Sequence, residues 1–61
     1  MKRKNLIRYL ESNGCEFLRE GANHTVYVNR KGKKASTVPR HREIDEYLVM
    51  KICKDLDIPK P

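Results

Sequence analysis

The sequence predicts a small α+β fold with the element order α-β-β-β-α, in which two helices lie on one face of a three-stranded antiparallel sheet. Apolar residues recur at helical spacing near both ends of the chain, and three β-rich segments separated by turn residues lie between them. The 61 residues form one domain at 1–61 in this prediction. Its core is thin, because a chain of this size buries only about 60% of the surface that its unfolded form exposes.

The first predicted helix spans residues 4–13. Leu6, Ile7 and Leu10 form a narrow apolar stripe along it. Gly14 follows and ends the helix, since glycine tolerates the left-handed conformation found at helix C-termini.

Three strands are predicted next, over 15–19, 24–29 and 34–38. Alternation places Cys15 and Phe17 on one face of the first strand and Leu18 on the other. The middle segment, HTVYVN, is the strongest strand candidate because it is rich in β-branched and aromatic residues. Along it, His24 shares a face with the two valines, and Thr25 shares the opposite face with Tyr27.

Turn residues separate these strands. Gly21 lies in the first turn, over 20–23, and Gly32 lies in a hairpin turn over 30–33, where we expect it to adopt positive φ. Pro39 has no N–H to donate, so the third strand ends there or lies at a sheet edge.

The second predicted helix spans 45–56, with Pro59 and Pro61 in a non-helical tail. Its apolar stripe consists of Leu48, Val49, Ile52, Cys53 and Leu56. Two amphipathic helices covering three antiparallel strands give the two-layer layout of a double-stranded-RNA-binding domain.

The two cysteines are expected to be reduced, buried thiols, with a single disulfide as the alternative. The four residues Cys15, His24, His41 and Cys53 have no close metal-ligand spacing, so neither a metal site nor a cofactor is expected. No apolar run is long enough to span a membrane, and the N-terminus does not have the pattern of a signal peptide. We therefore expect a cytoplasmic protein with no membrane association.

The positive charge of this chain is concentrated in one acid-free segment, residues 21–42. This segment holds both histidines and six of the fourteen lysines and arginines, while the remaining residues carry eight basic and eight acidic side chains. The formal net charge of +6 therefore comes from this segment, which favours binding to a polyanion such as RNA. A solvated, charged hairpin is the alternative. The candidate RNA contacts are Arg30, Lys31, Lys33, Lys34, Arg40, His41 and Arg42.

His24 is the candidate catalytic residue. It begins a strand just after a glycine-containing turn, and an imidazole can accept or donate a proton near neutral pH. A base of this kind can take the proton from an RNA 2′-hydroxyl, whose oxygen then attacks the adjacent phosphate. The alternative is a hydrogen-bonded histidine at the sheet rim beside Val26. His41, at the end of the third strand, is a candidate for a second acid or base paired with His24, for a phosphate contact or for a cap of the structure, and an exposed loop histidine is the alternative.

The chain also resembles the HicA (YcfA-like) toxins of bacterial toxin–antitoxin pairs over nearly its whole length. The matching segments are Leu6-Ile7 with Leu10 and Gly14, His24-Thr25-Val26-Tyr27, Thr37-Val38-Pro39-Arg40-His41, and Lys51 to Pro59.

This resemblance implies the fold described above and a metal-independent mRNA interferase, an endoribonuclease in which His24 is the catalytic histidine. It also implies a HicB-like antitoxin partner that covers the active face. The chain has Ala22-Asn23 where the family commonly has Gly-Ser before this histidine, and Tyr47-Leu48-Val49 where it has Gly-Thr-Leu.

Two other functions fit the same pattern. A non-catalytic RNA-binding module would use the same fold and basic hairpin without histidine chemistry, and a protein-interaction domain would present its charged face to an acidic partner. The free chain is expected to be a monomer or a weak dimer, since a small core gains stability from association.

Overall fold

The computed structural model describes all 61 residues and contains two helices and three strands. These are α1 (Arg3–Ser12), β1 (Cys15–Glu20), β2 (His24–Asn29), β3 (Lys34–Pro39) and α2 (Glu46–Asp55). The strands form one sheet in the order β1-β2-β3, and both neighbouring pairs are antiparallel. The predicted α+β class and element order are confirmed. No helix is long and apolar enough to cross a membrane.

Local signals set the helix ends. Gly14 has a φ of 84° immediately after α1, as expected of a glycine that terminates a helix. Asp45 precedes α2, and its carboxylate accepts a hydrogen bond from the Leu48 N–H at 3.0 Å. This contact is a side-chain N-cap, so the predicted first residue of the second helix is its cap instead.

The helices cover the face of the sheet that carries Thr25 and Tyr27, both of which are buried. His24, Val26 and Val28 lie on the opposite face, which we call the open face, and the alternation predicted for β2 is confirmed. One apolar core lies between the helices and the sheet. Its members are Leu6, Leu10, Cys15, Tyr27, Val38, Ile44, Val49, Ile52, Cys53 and Leu56.

A β-bulge interrupts the alternation of β1. Phe17 pairs with Tyr27, but the next pair joins Arg19 to Val26, so Leu18 is an extra residue on this strand. Regular alternation would place Arg19 on the same face as Phe17. The bulge instead turns Arg19 to the open face, where the middle strand carries His24.

The turn between β2 and β3 differs from the prediction in one respect. Lys33 has the positive φ, at 55°, whereas Gly32 does not adopt one. The left-handed position in a loop of this length commonly comes last, just before the returning strand, and here that position falls on a lysine. A residue with a Cβ costs roughly 1–2 kcal/mol in this conformation.

Candidate functional site

His24 is the first residue of β2, opposite Pro39 of β3, and it is exposed on the open face. No hydrogen bond within the chain involves its imidazole: the bonds in this region are made by its carbonyl and by neighbouring side chains. A ring that is accessible and not tied to the protein can exchange a proton with a bound substrate. The hydrogen-bonded rim histidine, the alternative for this residue, is not the arrangement found.

The turn before His24 is closed by a short backbone hydrogen bond, from the Gly21 N–H to the His24 carbonyl at 2.7 Å. A Cβ on Gly21 would lie 3.2 Å from that same carbonyl oxygen, which is closer than an ordinary contact. A side chain here would push the two backbone segments apart by a few tenths of an ångström, so glycine favours their close approach. The exposed residues Ala22 and Asn23 form the tip of the turn.

Two side chains from outside the turn, those of Arg40 and Thr25, form hydrogen bonds at its start. The Arg40 guanidinium donates through Nη2 to the Gly21 carbonyl at 2.8 Å and to Glu20 Oε1 at 2.7 Å. The Thr25 hydroxyl donates to the same Glu20 oxygen at 2.9 Å. Hydrogen bonds from Arg40 first, and from Thr25 second, hold the pKa of the Glu20 carboxyl below its usual value.

Arg3, the first residue of α1, extends this network to the helical layer. Its Nε donates to the Pro39 carbonyl and its Nη2 to the Thr25 hydroxyl oxygen, each at 2.9 Å. Both acceptors flank His24, since Pro39 is its partner on β3 and Thr25 follows it in the chain. We call Arg3, Glu20, Thr25 and Arg40 the turn network.

Sequence reasoning missed three of these four residues as parts of the site. Glu20 lies outside the acid-free segment, and neither Arg3 nor Thr25 is among the candidate site residues predicted from the sequence. The one local signal is the pairing expected across a tight turn, which places Glu20 opposite Thr25. Nothing in the linear sequence indicates that Arg3 reaches them, because it lies 22 residues before Thr25.

The acid-free segment is less positive in three dimensions than in the sequence. Arg30 pairs with Glu16 at 2.8 Å and Arg40 with Glu20 at 2.7 Å, and both acids belong to the neighbouring strand β1. Four of the six candidate cations therefore remain without an ion pair: Lys31, Lys33, Lys34 and Arg42.

These cations lie at two ends of the sheet. Asn29 pairs with Lys34 next to the hairpin, and His24 is at the far end of the same strand. A strand rises roughly 3.3 Å per residue, so about 17 Å of β2 separate His24 from the hairpin. The lysines of the hairpin are thus too far away to contact the phosphate on which His24 would act.

Arg19 is the cation that the structure adds at the His24 end. Its pairing partner is Val26, two residues beyond His24 on the open face. Diagonal neighbours of this kind have side chains about 7–8 Å apart, within reach of a long arginine. The β-bulge at Leu18 puts Arg19 there, and no pattern in the sequence indicates this bulge.

His41 and Arg42 follow β3, whose last residue, Pro39, is paired with His24. Both side chains are exposed. The Arg42 carbonyl accepts a hydrogen bond from the Arg3 N–H at 2.9 Å, which holds this exit segment against the start of α1. The structure therefore brings the exit segment to the His24 end of the sheet and leaves Lys31 and its neighbours at the opposite end.

Cys15 and Cys53 are free thiols in the core, and burial raises the pKa of both. No group of three or more histidine, cysteine, aspartate or glutamate side chains is arranged to hold a metal ion. Tyr47, for which the sequence indicated no role, is 78% exposed on α2, on the helical layer and away from the open face.

Comparison with known families shows one match, to the HicA toxin of bacterial toxin–antitoxin systems, over residues 3–58. No curated protein and no solved structure matches the chain. The matched region contains both helices and all three strands, and it includes His24, Arg19 and the turn network. The family match therefore covers nearly the whole fold, and the chain belongs to the HicA toxin family.

Proposed function

We propose that this toxin-family chain is an endoribonuclease that cleaves mRNA without a metal ion and uses His24 as a general acid or base. The observation that carries the proposal is the accessible, unbonded imidazole on the open face, at the end of a turn whose backbone is fixed. Membership of the HicA family supports a nuclease at the level of the family.

The reaction that fits these groups is an intramolecular phosphoryl transfer. His24 takes the proton from a ribose 2′-hydroxyl, and the 2′-oxygen forms a new bond to the adjacent phosphorus. The bond from phosphorus to the 5′-oxygen breaks, which leaves a 2′,3′-cyclic phosphate, and the departing 5′-oxygen takes up a proton. An imidazole is suited to these transfers because both of its protonation states are populated near neutral pH.

Arg19 is the cation we assign to the phosphate at this site. It shares the open face with His24 and takes part in none of the ion pairs or side-chain hydrogen bonds of the chain. A guanidinium can donate two hydrogen bonds to phosphate oxygens, and the charge on those oxygens grows during the reaction.

Binding of the rest of the RNA is assigned to the hairpin lysines Lys31 and Lys33 and to the exit segment with His41 and Arg42. Lys34 is left out because its cross-strand partner is the buried Asn29, on the face that the helices cover. An RNA strand that follows the open face from His24 toward the hairpin would meet Lys31 and Lys33 about 17 Å from the cleavage site. The toxin–antitoxin family implies an antitoxin partner. We assign a HicB-like protein that covers the open face, so that RNA and antitoxin compete for one surface.

The test is cleavage of mRNA by purified wild type and by His24→Ala, with growth and RNA integrity followed after induced expression. We expect His24→Ala to lose cleavage and toxicity while its unfolding temperature is unchanged, because the side chain is exposed and makes no hydrogen bond. A variant that cleaves RNA at the wild-type rate would overturn the assignment. RNA binding with no cleavage by either protein would select the non-catalytic RNA-binding module.

Chelation supplies the second test of the same proposal. Cleavage in the presence of EDTA is expected to equal cleavage without it. Activity that disappears with EDTA and returns with added Mg²⁺ would reject the metal-independent mechanism.

A further inference from the structure

The turn that carries His24 is anchored on both sides of Gly21. The Gly21 N–H is bonded to the His24 carbonyl, and the Gly21 carbonyl is bonded to the Arg40 guanidinium. From this arrangement we propose that Glu20 and Arg40 are positioning residues for RNA cleavage: together they fix the turn and thereby the direction of the His24 imidazole. The inference rests on the proposed function of His24.

Arg40 can hold the turn only if its own guanidinium is held. The same Nη2 atom donates to Glu20 and to Gly21, at 2.7 and 2.8 Å, so the carboxylate fixes the guanidinium beside the carbonyl. Glu20 is in turn bonded to Thr25, the residue after His24. Oε1 of Glu20, the residue before the turn, is therefore bonded both to Thr25, which follows His24, and to Arg40, which follows β3.

This role differs from an RNA contact. Arg40 was predicted to bind RNA on the basis of its charge, but its guanidinium already donates to two oxygens of its own chain. Exposed ion pairs contribute little to global stability, and both side chains of this pair are about half exposed, at 47% and 54%. The benefit we assign to the pair is local order at the turn, where small displacements of a catalytic group lower the rate.

The two possible roles of Arg40 predict different effects on RNA cleavage when Glu20 is removed. If Arg40 binds phosphate, loss of Glu20 removes a nearby negative charge and frees a cation, so RNA binds more tightly and cleavage does not slow. If Glu20 and Arg40 position the turn, loss of Glu20 lowers kcat even though the site becomes more positive.

The chain offers a matched control on the same strand. Glu16 forms the corresponding exposed pair with Arg30 at 2.8 Å, at the hairpin end of the sheet. Glu16→Ala and Glu20→Ala therefore remove the same acid from β1 and free an arginine in each case. They differ in whether the turn before His24 loses its anchor.

The experiment measures kcat and KM for RNA cleavage by wild type, Glu16→Ala, Glu20→Ala, Arg40→Ala and the variant with both Glu20 and Arg40 replaced. We expect Glu20→Ala and Arg40→Ala each to lower kcat about tenfold or more, since slight misplacement of a catalytic group is costly. The double variant should be no worse than either single one, because both remove one network. Glu16→Ala should keep the wild-type kcat.

Two further measurements separate positioning from a phosphate contact. The slope of log kcat/KM against log salt should be unchanged in Arg40→Ala; a slope smaller by about 0.7 would indicate a lost phosphate contact and overturn the proposal. In the free protein, the Gly21 amide should exchange with solvent faster in Arg40→Ala than in wild type, and equal protection in the two proteins would also overturn it.

The outcomes separate this inference from the proposed function. Wild-type cleavage by His24→Ala refutes the function whatever Glu20 does. Loss of cleavage in His24→Ala combined with a wild-type kcat in Glu20→Ala refutes only the positioning role. Circular dichroism of each variant checks that the fold persists.

Discussion

Arg40 donates to the Glu20 carboxylate at 2.7 Å, although the two residues lie 20 positions apart in the sequence. The contact reduces the number of unpaired positive charges in the acid-free segment. An arginine counted as part of an uncompensated basic segment is paired with an acid from the neighbouring strand, and its guanidinium supports the turn that carries His24.

Neutralising the hairpin lysines should weaken RNA binding without altering the chemical step. Replacing Lys31 and Lys33 with glutamine is expected to reduce the slope of log K against log salt by about 1.4, at roughly 0.7 per lost contact with single-stranded RNA. The rate at which bound RNA is cleaved should be unchanged, because these lysines lie about 17 Å from His24. Binding titrations at several salt concentrations, with single-turnover rates at saturating protein, provide the measurement.

Arg30→Gln is the internal comparison for the hairpin. Arg30 is already paired with Glu16, so its loss should change the salt slope less than the loss of an unpaired lysine such as Lys31. An equal effect for Arg30→Gln and Lys31→Gln would show that the ion pair opens when RNA binds.

Lys33→Gly should stabilise the protein and weaken RNA binding at the same time. Lys33 has a φ of 55°, a conformation that glycine adopts without the clash of a Cβ. We expect a gain of at most about 1 kcal/mol in the free energy of unfolding, because the strain relieved is partly offset by the greater entropy of unfolded glycine. Urea unfolding measures the gain. The same change at Lys31, which has no positive φ, should give no increase.

Asn29→Ala should destabilise the fold by about 1–3 kcal/mol. The buried Asn29 amide donates to the Leu56 carbonyl at 2.8 Å, where the end of β2 meets the end of α2. Without it, the carbonyl loses its side-chain partner in the protein interior. Thermal or urea unfolding gives the value, and a change of less than about 0.5 kcal/mol, typical of surface substitutions, would contradict the expectation.

The contribution of Glu20 to stability should disappear in acid. Arg40, followed by Thr25, holds the pKa of folded Glu20 below its usual value, so the folded state prefers the ionised carboxylate. Its stabilising contribution is therefore complete above the unfolded glutamate pKa of about 4.3 and is lost as the pH falls through the lower folded value. The difference in free energy of unfolding between wild type and Glu20→Gln should be constant from pH 6 to 7 and shrink below about pH 4.

If the difference in free energy of unfolding between wild type and Glu20→Gln grew as the pH fell, folding would have to raise the Glu20 pKa. That result would contradict the hydrogen bonds that the Glu20 carboxylate accepts. Urea unfolding at closely spaced pH values, at constant ionic strength, distinguishes the two signs.

Local patterns in the sequence were sufficient to predict the helices and strands and the face of β2 on which His24 lies. Helical and strand periodicities reflect backbone geometry that repeats every few residues, so they can be interpreted without knowing the partner elements. The glycine at the end of α1 and the alternation of His24 with Tyr27 were both predicted correctly for this reason. The family, too, was indicated by short motifs, and the match over residues 3–58 confirms it.

Only the tertiary structure decided which charges are free and what surrounds His24. The bulge at Leu18 turns Arg19 to the open face, and the strand order brings Glu16 and Glu20 of β1 next to arginines that are distant in sequence. Ion pairs and bulges depend on how the strands align and on what packs against them. The sequence by itself therefore determined the fold, the family and the candidate histidine. The folded sheet determined which cations remain unpaired and which side chains hold the turn.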